Sequence, residues 1–360
     1  MELGDAGADV IKIESLSGDC ARGWGPPQEG GTSSVFLRLN RNKRSIALDL
    51  DSTEGIAIAC RILSSADVAV VDVNRLPDPS FRYEQVAESN PQLVYCAISG
   101  FGDRGPWADR PSGELPVQLM SEATSSLGRT GEPPVRAGTD IASMYAAIHG
   151  VQGICAALLA RDRIGSGQRL DVSLFGSLLA MRSTLWVALS NPDEWWGFHL
   201  DSYVKPPDHG YPCSDGRIFV NLAGMKKGEL DSLLADLKMD WVRDDRQFEF
   251  LAQESTGAGR YAHTVHHLWD RGIQQFTVAE ATNIIERHGG LVFPMNDFKM
   301  IENNDQVKAV GMIRSVEQPG AGRIKEMIPP WDFADTPYEI RLPAPRLGEH
   351  TDAILKELGS

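Results

Sequence analysis

The sequence predicts an α/β protein whose core is a parallel, doubly wound sheet. Between residues 8 and 99, apolar segments of strand length alternate with amphipathic helical segments. This alternation is typical of a parallel sheet that carries helices on both faces. The chain has 360 residues, which suffices for two domains or for one large α/β domain with an insertion.

The individual elements follow from the pattern of apolar residues. Residues 8–14 alternate apolar and polar side chains, as a strand does, and follow a helix-like tail that ends at Gly7. We therefore expect the chain to start inside an α/β repeat, either because the opening strand precedes the sequence given or because the fold has lost it. Further strands are predicted at residues 45–50, 66–72, 93–99 and 168–174, and helices at residues 53–64, 83–89, 143–163 and 175–190. The helix at residues 53–64 is expected to have its N-cap at Asp51 or Ser52. The helix at residues 143–163 is expected to be buried.

A second, smaller domain is predicted in the later part of the chain. Residues 191–212 are rich in Pro, Gly and aromatic residues, which favours a linker. A strand at residues 217–222, helical patterns over residues 227–289 and short strands within residues 311–328 follow. We therefore expect a small α+β domain over residues 213–329, and a last short helix at residues 352–358.

The composition argues against several classes of protein. The chain has 35 Lys and Arg against 49 Asp and Glu, and a net charge of −14 disfavours nucleic acid or an anionic membrane as the main partner. No run of 18 apolar residues and no signal-peptide pattern is present. The 5 cysteines are scattered without a CxxC pair, which favours reduced thiols over disulfides or a zinc site. We therefore expect a cytoplasmic enzyme or enzyme subunit without a metal.

A glycine-rich loop follows the strand at residues 93–99. Gly100, Gly102 and Gly105 match the spacing GxGxxG, but Pro106 and Trp107 follow, so we expect no helix to open there. A dinucleotide site is therefore disfavoured. The loop still lies at the carboxyl end of a parallel strand, where ligands bind in such sheets.

Three other groups of residues have both a functional and a structural interpretation. His263, His266 and His267 have helical spacing, but no HExxH motif accompanies them, so a solvated helix face is favoured over a metal site. The aromatic residues between Trp186 and Tyr203 indicate packing between domains or an acyl pocket. Basic residues at Arg22 and within residues 40–46 indicate a phosphate-bearing ligand or a solvated surface.

Taken together, the motifs resemble those of the family III CoA-transferases, which include formyl-CoA transferases, carnitine CoA-transferases and α-methylacyl-CoA racemases. The resemblance rests on five segments in the family's order, at residues 3–14, 42–49, 99–106, 156–173 and 344–351. It implies a Rossmann-like large domain formed by residues 1–190 and completed by residues 330–360. It also implies an interlocked dimer, in which two chains are threaded through one another.

The resemblance implies a mechanism and a set of binding residues. In the family an Asp carboxylate attacks an acyl-CoA thioester, and an aspartyl-CoA thioester forms by way of a mixed anhydride. CoA and acyl-CoA are thus expected as substrates. Arg22 and Lys43 are expected near the phosphates of CoA. The loop residues Gly100, Phe101, Gly102 and Gly105 are expected beside the thioester.

The sequence departs from the family at the catalytic position. Aligned without a gap, the family's Asp falls on Ser143, which cannot form the thioester, and Asp140 is a possible substitute three residues earlier. The family's aromatic-Arg-Pro-Gly loop is replaced by residues 73–76. Where racemases have Gly-His-Asp, residues 112–114 read Ser-Gly-Glu.

These departures lead to three hypotheses. The first is a catalytically degenerate subunit that pairs with a homologous, Asp-bearing catalytic subunit in a heteromer, as in the benzylsuccinate CoA-transferases. Such an enzyme would move CoA from an acyl-CoA such as succinyl-CoA to a carboxylic acid. The second is an active homodimeric CoA-transferase that uses Asp140. The third and least favoured is a 2-methylacyl-CoA racemase.

Overall fold

The computed structural model describes residues 1–27, 31–121, 123–124, 133, 135–183, 210–222, 225, 228–253 and 262–359. The chain divides into two units. Unit 1 contains Met1–Pro111, Ala146–Leu174 and Phe298–Ser360, and unit 2 contains Ser112–Tyr145 and Phe175–Asp297. Residues 112–145 and 175–183, which the sequence places in the large domain, thus fall in unit 2, and residues 298–329, which it places in the small domain, fall in unit 1. Most of the expected linker, residues 191–209, lies outside the described residues.

The strands of unit 1 pair mainly in parallel, as the sequence predicts. Strands β1 and β2 form one parallel pair, and β3, β4 and β5 form a second parallel group with β4 in the middle. An antiparallel hairpin, β9–β10, completes the described strands of this unit. The strands are β1 (Val10–Ser15), β2 (Lys43–Leu48), β3 (Val68–Asp72), β4 (Val94–Ser99), β5 (Arg169–Ser173), β9 (Ile313–Gln318) and β10 (Gly322–Met327).

Helices cover both faces of the β3–β4–β5 sheet because side chains alternate along a strand. Val94 and Cys96 of β4 pack with the long helix that contains Ile154, whereas Tyr95 and Ala97 pack on the opposite side with Val86. The described helices in or entering unit 1 are α1 (Glu2–Asp5), α2 (Ser34–Asn40), α3 (Thr53–Ser65), α4 (Tyr83–Ser89), α6 (Ile141–Ile164), α12 (Phe298–Asn303), α13 (Asp305–Ala309) and α14 (Thr351–Glu357).

Helix α3 shows how a local signal sets a boundary. The hydroxyl of Ser52 accepts a hydrogen bond from the Gly55 N–H at 3.0 Å, so Ser52 is the N-cap. The helix then packs Ala59 and Ile62 against the β2 side of unit 1. The prediction of a helix after Asp51 or Ser52 is therefore confirmed.

Helix α6 is longer and more exposed than the sequence predicts. Its length and apolar composition would allow it to cross a membrane, with a hydropathy of 1.4 in its most apolar window, of which 28% is buried. One side packs Ala146, Ile154 and Ala157 against β4 and β5, as a core helix does. The prediction of a buried helix holds for this side alone, because Met144, Ile148, Leu159 and Ile164 are exposed.

Unit 2 has its own core around a three-stranded antiparallel sheet. The strands β6 (Tyr211–Pro212), β7 (Arg217–Asn221) and β8 (Leu291–Pro294) pair in the order β6–β7–β8. Leu233, Leu237, Leu268 and Ile285 are buried in the core beside this sheet. The described helices of unit 2 are α5 (Glu114–Met120), the start of α6, α7 (Leu174–Met181), α8 (Glu229–Asp236), α9 (Phe248–Gln253), α10 (Ala262–Ile273) and α11 (Val278–Arg287).

A buried charge cluster joins distant segments of unit 1. The Arg41 guanidinium donates to the Asp5 carboxylate at 2.6 Å and to the Glu326 carboxylate at 2.6 Å. All three side chains are almost fully buried. A buried cation between two carboxylates holds the segments around α1, α2 and β10 together.

Candidate active site

The N-terminus of α6 in unit 2 carries the two residues considered for the nucleophilic position. Asp140 directly precedes the helix, and its carbonyl accepts the Met144 N–H at 2.9 Å. The Asp140 side chain is 56% exposed, and its carboxylate lies 3.4 Å from the Arg136 guanidinium. A solvent-accessible carboxylate thus stands at the start of the helix.

Ser143 lies one turn further along α6, and its hydroxyl is engaged. Ser143 Oγ donates to Glu114 Oε2 at 2.7 Å, and the Ser143 N–H donates to the same oxygen at 2.9 Å. The other oxygen, Glu114 Oε1, accepts the Ala142 N–H at 2.8 Å. Glu114, the first residue of α5, therefore caps the start of α6 from outside the helix.

Glu114 is held in its ionised form. Partial burial acts to raise the pKa of Glu114, but hydrogen bonds from Gln118, Ser143 and the Ala142 N–H outweigh burial, so its pKa lies below the ordinary value. The carboxylate therefore keeps its negative charge at neutral pH, where it faces the positive end of the α6 dipole.

The glycine-rich loop in unit 1 starts at the carboxyl end of β4. The Gly100 N–H donates to Asn74 Oδ1 at 3.2 Å, and the Gly102 N–H donates to Ser99 Oγ at 3.1 Å. Gly102 and Gly105 have φ angles of 105° and 90°, which favour glycine. Within residues 100–113 no helix opens, as the sequence predicts. The Phe101 ring packs edge-on against Trp107 at 5.6 Å.

A cleft of about 210 Å³ in unit 1 lies beside this loop. Gly102 and Asp103 line it on the loop side, together with Asn74, which follows β3, and Arg169, the first residue of β5. The Arg169 guanidinium lies 3.4 Å from the Asp103 carboxylate. The cleft is polar and carries both signs of charge, which suits a polar ligand better than a bare acyl chain.

Arg22 donates within unit 1. Its Nε and Nη2 atoms both donate to the buried Glu14 carboxylate at 2.8 Å, and its Nη1 donates to the Pro345 carbonyl at 3.2 Å. The guanidinium also stacks over the Phe36 ring at 3.9 Å. This geometry gives Arg22 a structural role, and its expected contact with CoA phosphates stays a prediction.

Lys43 at the start of β2 is partly buried. Its ammonium donates to Asn40 Oδ1 at 3.0 Å. Burial, and next the nearby charge of Lys12, lowers the pKa of Lys43 to about 8. A bound phosphate would offset both effects, so Lys43 fits an anion site chemically.

The remaining sequence candidates fall in different places. The aromatic concentration from Trp186 to Tyr203 lies outside the described residues. His266 and His267 lie on α10, where His266 Nε2 is 3.5 Å from an Asp270 oxygen and the His266 ring stacks on Tyr211. In the part of the chain that the structure describes, no three His, Cys, Asp or Glu side chains are grouped as metal ligands.

Sequence reasoning missed the part that Glu114 and Gln118 play. Gln118 of α5 is fully buried and hydrogen-bonds to Glu114 at 2.8 Å. The spacing of four residues on a short helix was the available signal. Their partners in residues 137–143 are distant in sequence, so the pattern of residues alone does not indicate them.

Comparison with known proteins identifies the family. The CoA-transferase family III model matches residues 1–351. A succinate–glutarate CoA-transferase of Agrobacterium fabrum is 30% identical, over 99% of this chain and 90% of that protein. The beta subunit of a succinyl-CoA–L-malate CoA-transferase of Chloroflexus aurantiacus is 26% identical, over 99% of this chain and 88% of that subunit.

A solved structure agrees with the sequence comparisons. The crystal structure of a CAIB/BAIF family protein from Brucella suis has a TM-score of 0.82 at 28% identity, covering 99% of this chain and 93% of that chain. The shared mixed α/β fold with parallel sheets and the family match over nearly the whole sequence confirm the resemblance. The chain belongs to CoA-transferase family III.

Proposed function

We propose that this chain is an active CoA-transferase in which the Asp140 carboxylate is the nucleophile. The observation that carries the proposal is the exposed carboxylate of Asp140 at the start of α6, together with the engagement of the Ser143 hydroxyl by Glu114. The names of the relatives favour succinyl-CoA as donor and a dicarboxylic acid such as glutarate or malate as acceptor.

The proposed reaction uses the carboxylate twice. An Asp140 oxygen attacks the thioester carbonyl carbon, the C–S bond breaks, and the CoA thiolate leaves with the electron pair. The thiolate then attacks the aspartyl carbon of the mixed anhydride and releases the donor acid as its carboxylate. The acceptor carboxylate attacks the aspartyl thioester and frees CoA thiolate again, which attacks the acceptor's carbonyl carbon and regenerates Asp140.

CoA binding is assigned to unit 1 in the same proposal. The glycine-rich loop lets a ligand approach the backbone closely, and a carbonyl or phosphate oxygen of CoA would replace Asn74 and Ser99 as acceptor of the Gly100 and Gly102 N–H groups. Lys43 supplies a cation for a phosphate group. Arg22 supports this region through its ion pair with Glu14.

The test is direct detection of the covalent intermediate. Purified chain is mixed with succinyl-CoA, digested with a protease, and the peptide that contains Asp140 is examined for added CoA by mass spectrometry. Asp140→Asn should abolish both the adduct and CoA transfer to glutarate. Asp162→Asn, which alters an exposed Asp near the other end of α6, should leave both unchanged. An adduct that persists in Asp140→Asn contradicts the proposal.

The partner-subunit hypothesis remains the second candidate. It is favoured by Ser143 at the position where an ungapped alignment places the family's Asp, and the Chloroflexus relative is itself called a beta subunit. In that case the chain alone forms no adduct. A co-purified homologous subunit would then carry the CoA label on its own Asp.

An oligomer belongs to the proposal in either form. Apolar side chains on α6, among them Leu159 at 64% and Ile164 at 61% exposure, would be covered by a second chain in an interlocked dimer. Light scattering of the purified chain distinguishes a monomer from a homodimer. A monomer that dimerises only with a homologous chain would favour the heteromer.

A further inference from the structure

We propose that Glu114 caps α6 in place of Asp140 and thereby keeps the Asp140 carboxylate available for attack. The inference rests on the proposed function of Asp140. It assigns Glu114, with Gln118 beside it, as a positioning residue rather than a catalytic one.

An Asp that directly precedes a helix normally folds its carboxylate back to accept the N–H groups of the second or third helical residue. For α6, which starts at Ile141, these are the N–H groups of Ala142 and Ser143. An Asp140 side chain engaged in this way would point along the helix and be a weaker nucleophile.

In the structure Glu114 takes both of these donors. The Ala142 N–H donates to Glu114 Oε1 at 2.8 Å, and the Ser143 N–H donates to Glu114 Oε2 at 2.9 Å. The Ser143 hydroxyl adds a third hydrogen bond at 2.7 Å. The helix is therefore capped without Asp140.

Gln118 holds the other flank of Asp140. Its amide nitrogen donates to the Thr139 carbonyl at 3.2 Å, and its amide oxygen accepts the Ala137 N–H at 3.2 Å. The same nitrogen donates to Glu114 at 2.8 Å, so the two side chains of α5 form one connected group. Asp140 lies between two anchored flanks, which fixes its backbone while its carboxylate stays exposed.

The consequence is a testable coupling between Glu114 and Asp140. When Glu114 is removed, the N–H groups of Ala142 and Ser143 lose their acceptor, and Asp140, a residue type that caps helices, directly precedes the first residue of α6. Asp140 should then turn back to cap α6. The helix would recover part of its stability, and the reaction would lose a correctly placed nucleophile.

The experiment compares Glu114→Ala with Glu280→Ala as a matched control. Glu280 accepts the N–H and hydroxyl of Thr277 in the capping box of α11, in the same unit. Both variants should lower the melting temperature by a few degrees. Only Glu114→Ala should slow formation of the CoA adduct in a single turnover with succinyl-CoA, by about 10- to 100-fold. Its Kd for succinyl-CoA should change little.

A double-mutant cycle supplies a readout that does not depend on activity. Asp140→Ala should change the melting temperature little in the wild-type background and lower it clearly in the Glu114→Ala background. Should Glu114→Ala fail to fold, Glu114→Gln keeps the shape and one acceptor oxygen, and the same cycle applies with smaller effects. The inference is overturned if Asp140→Ala lowers the melting temperature equally in both backgrounds. It is also overturned if Glu114→Ala forms the CoA adduct as fast as Glu280→Ala does.

The two proposals fail in distinguishable ways. If the Asp140→Asn protein still forms the CoA adduct, Asp140 is not the nucleophile. The melting temperatures of the double-mutant cycle then still test whether Glu114 caps α6 in place of Asp140. Loss of the adduct in Asp140→Asn combined with a normal rate in Glu114→Ala removes the positioning role alone.

Discussion

Ser143 Oγ lies 2.7 Å from Glu114 Oε2 and donates a hydrogen bond to it. Ser143 therefore helps to hold the Glu114 carboxylate of α5 in the position where it caps the start of α6. A carboxylate at position 143 would lie close to the Glu114 carboxylate, and two like charges close together repel each other. A serine is the residue that this arrangement accommodates.

Replacing Ser143 with Asp separates the two functional hypotheses. With Asp140 as nucleophile, Ser143→Asp should lower the free energy of unfolding by about 1–3 kcal/mol, because Glu114 loses a donor and gains a like charge. Transferase activity should fall as well. A gain of activity in Ser143→Asp, measured with succinyl-CoA and glutarate, would favour the degenerate-subunit hypothesis instead. Ser143→Ala, which removes the donor without adding charge, is the matched control.

Gly102 should be sensitive to substitution in a way that reports on CoA binding. Its φ of 105° is one that other residues adopt only at a cost of about 1–3 kcal/mol, so Gly102→Ala should distort the loop. Gly7 has the same φ of 105°, and an added Cβ would meet nothing within 4 Å there. Both variants should lose comparable stability, but Gly102→Ala alone should raise the KM for succinyl-CoA. An equal KM in the two variants would argue against a role of the loop in binding CoA.

The buried guanidinium of Arg41 should be among the most sensitive positions for stability. Arg41→Met leaves the Asp5 carboxylate buried without its cation and leaves Glu326 only the longer ion pair with Arg38 at 3.8 Å, which should cost about 3–5 kcal/mol in chemical unfolding. Arg44 also pairs with two carboxylates, those of Asp9 and Glu357, but both are mostly exposed. Arg44→Met should therefore cost less than about 1 kcal/mol. If the two variants lost similar amounts of unfolding free energy, burial would not be the reason for the sensitivity of Arg41.

Local signals account for the part of the fold that the sequence predicts. The Ser52 cap, the helix at Tyr83–Ser89 and the strand at Val94–Ser99 are recorded in neighbouring residues, so periodicity and capping rules find them. The sequence did not predict the exposed side of α6, because a helix that is apolar all round has the same composition whether one or both of its sides are buried.

The candidate site was predicted less completely for a related reason. The motif resemblance indicated Ser143 and Asp140, and both lie at the N-terminus of α6. The partner that decides the chemistry of Ser143 is Glu114, 29 residues earlier in the sequence. Arg22 likewise pairs with Glu14, which belongs to the preceding strand β1. A pattern within one segment carries no information on such pairs, since tertiary packing creates them.

His288 should make the stability of unit 2 depend on pH. Its ring nitrogens lie 3.0 Å from a Glu229 oxygen and 2.9 Å from an Asp236 oxygen. These two hydrogen bonds raise the pKa of His288 above its ordinary value, and the one to Glu229 has the larger effect. A histidine with a raised pKa stabilises the fold fully below its unfolded pKa of about 6.5, and this contribution is lost as the pH rises through the folded pKa. The difference in unfolding free energy between wild type and His288→Gln, measured in urea, should therefore be larger at pH 6 than at pH 9. In the Glu229→Gln background, the stability difference caused by His288→Gln should be smaller at pH 6, since the larger cause of the raised pKa is gone. A stability difference that stays constant from pH 6 to pH 9 would contradict a raised pKa of His288.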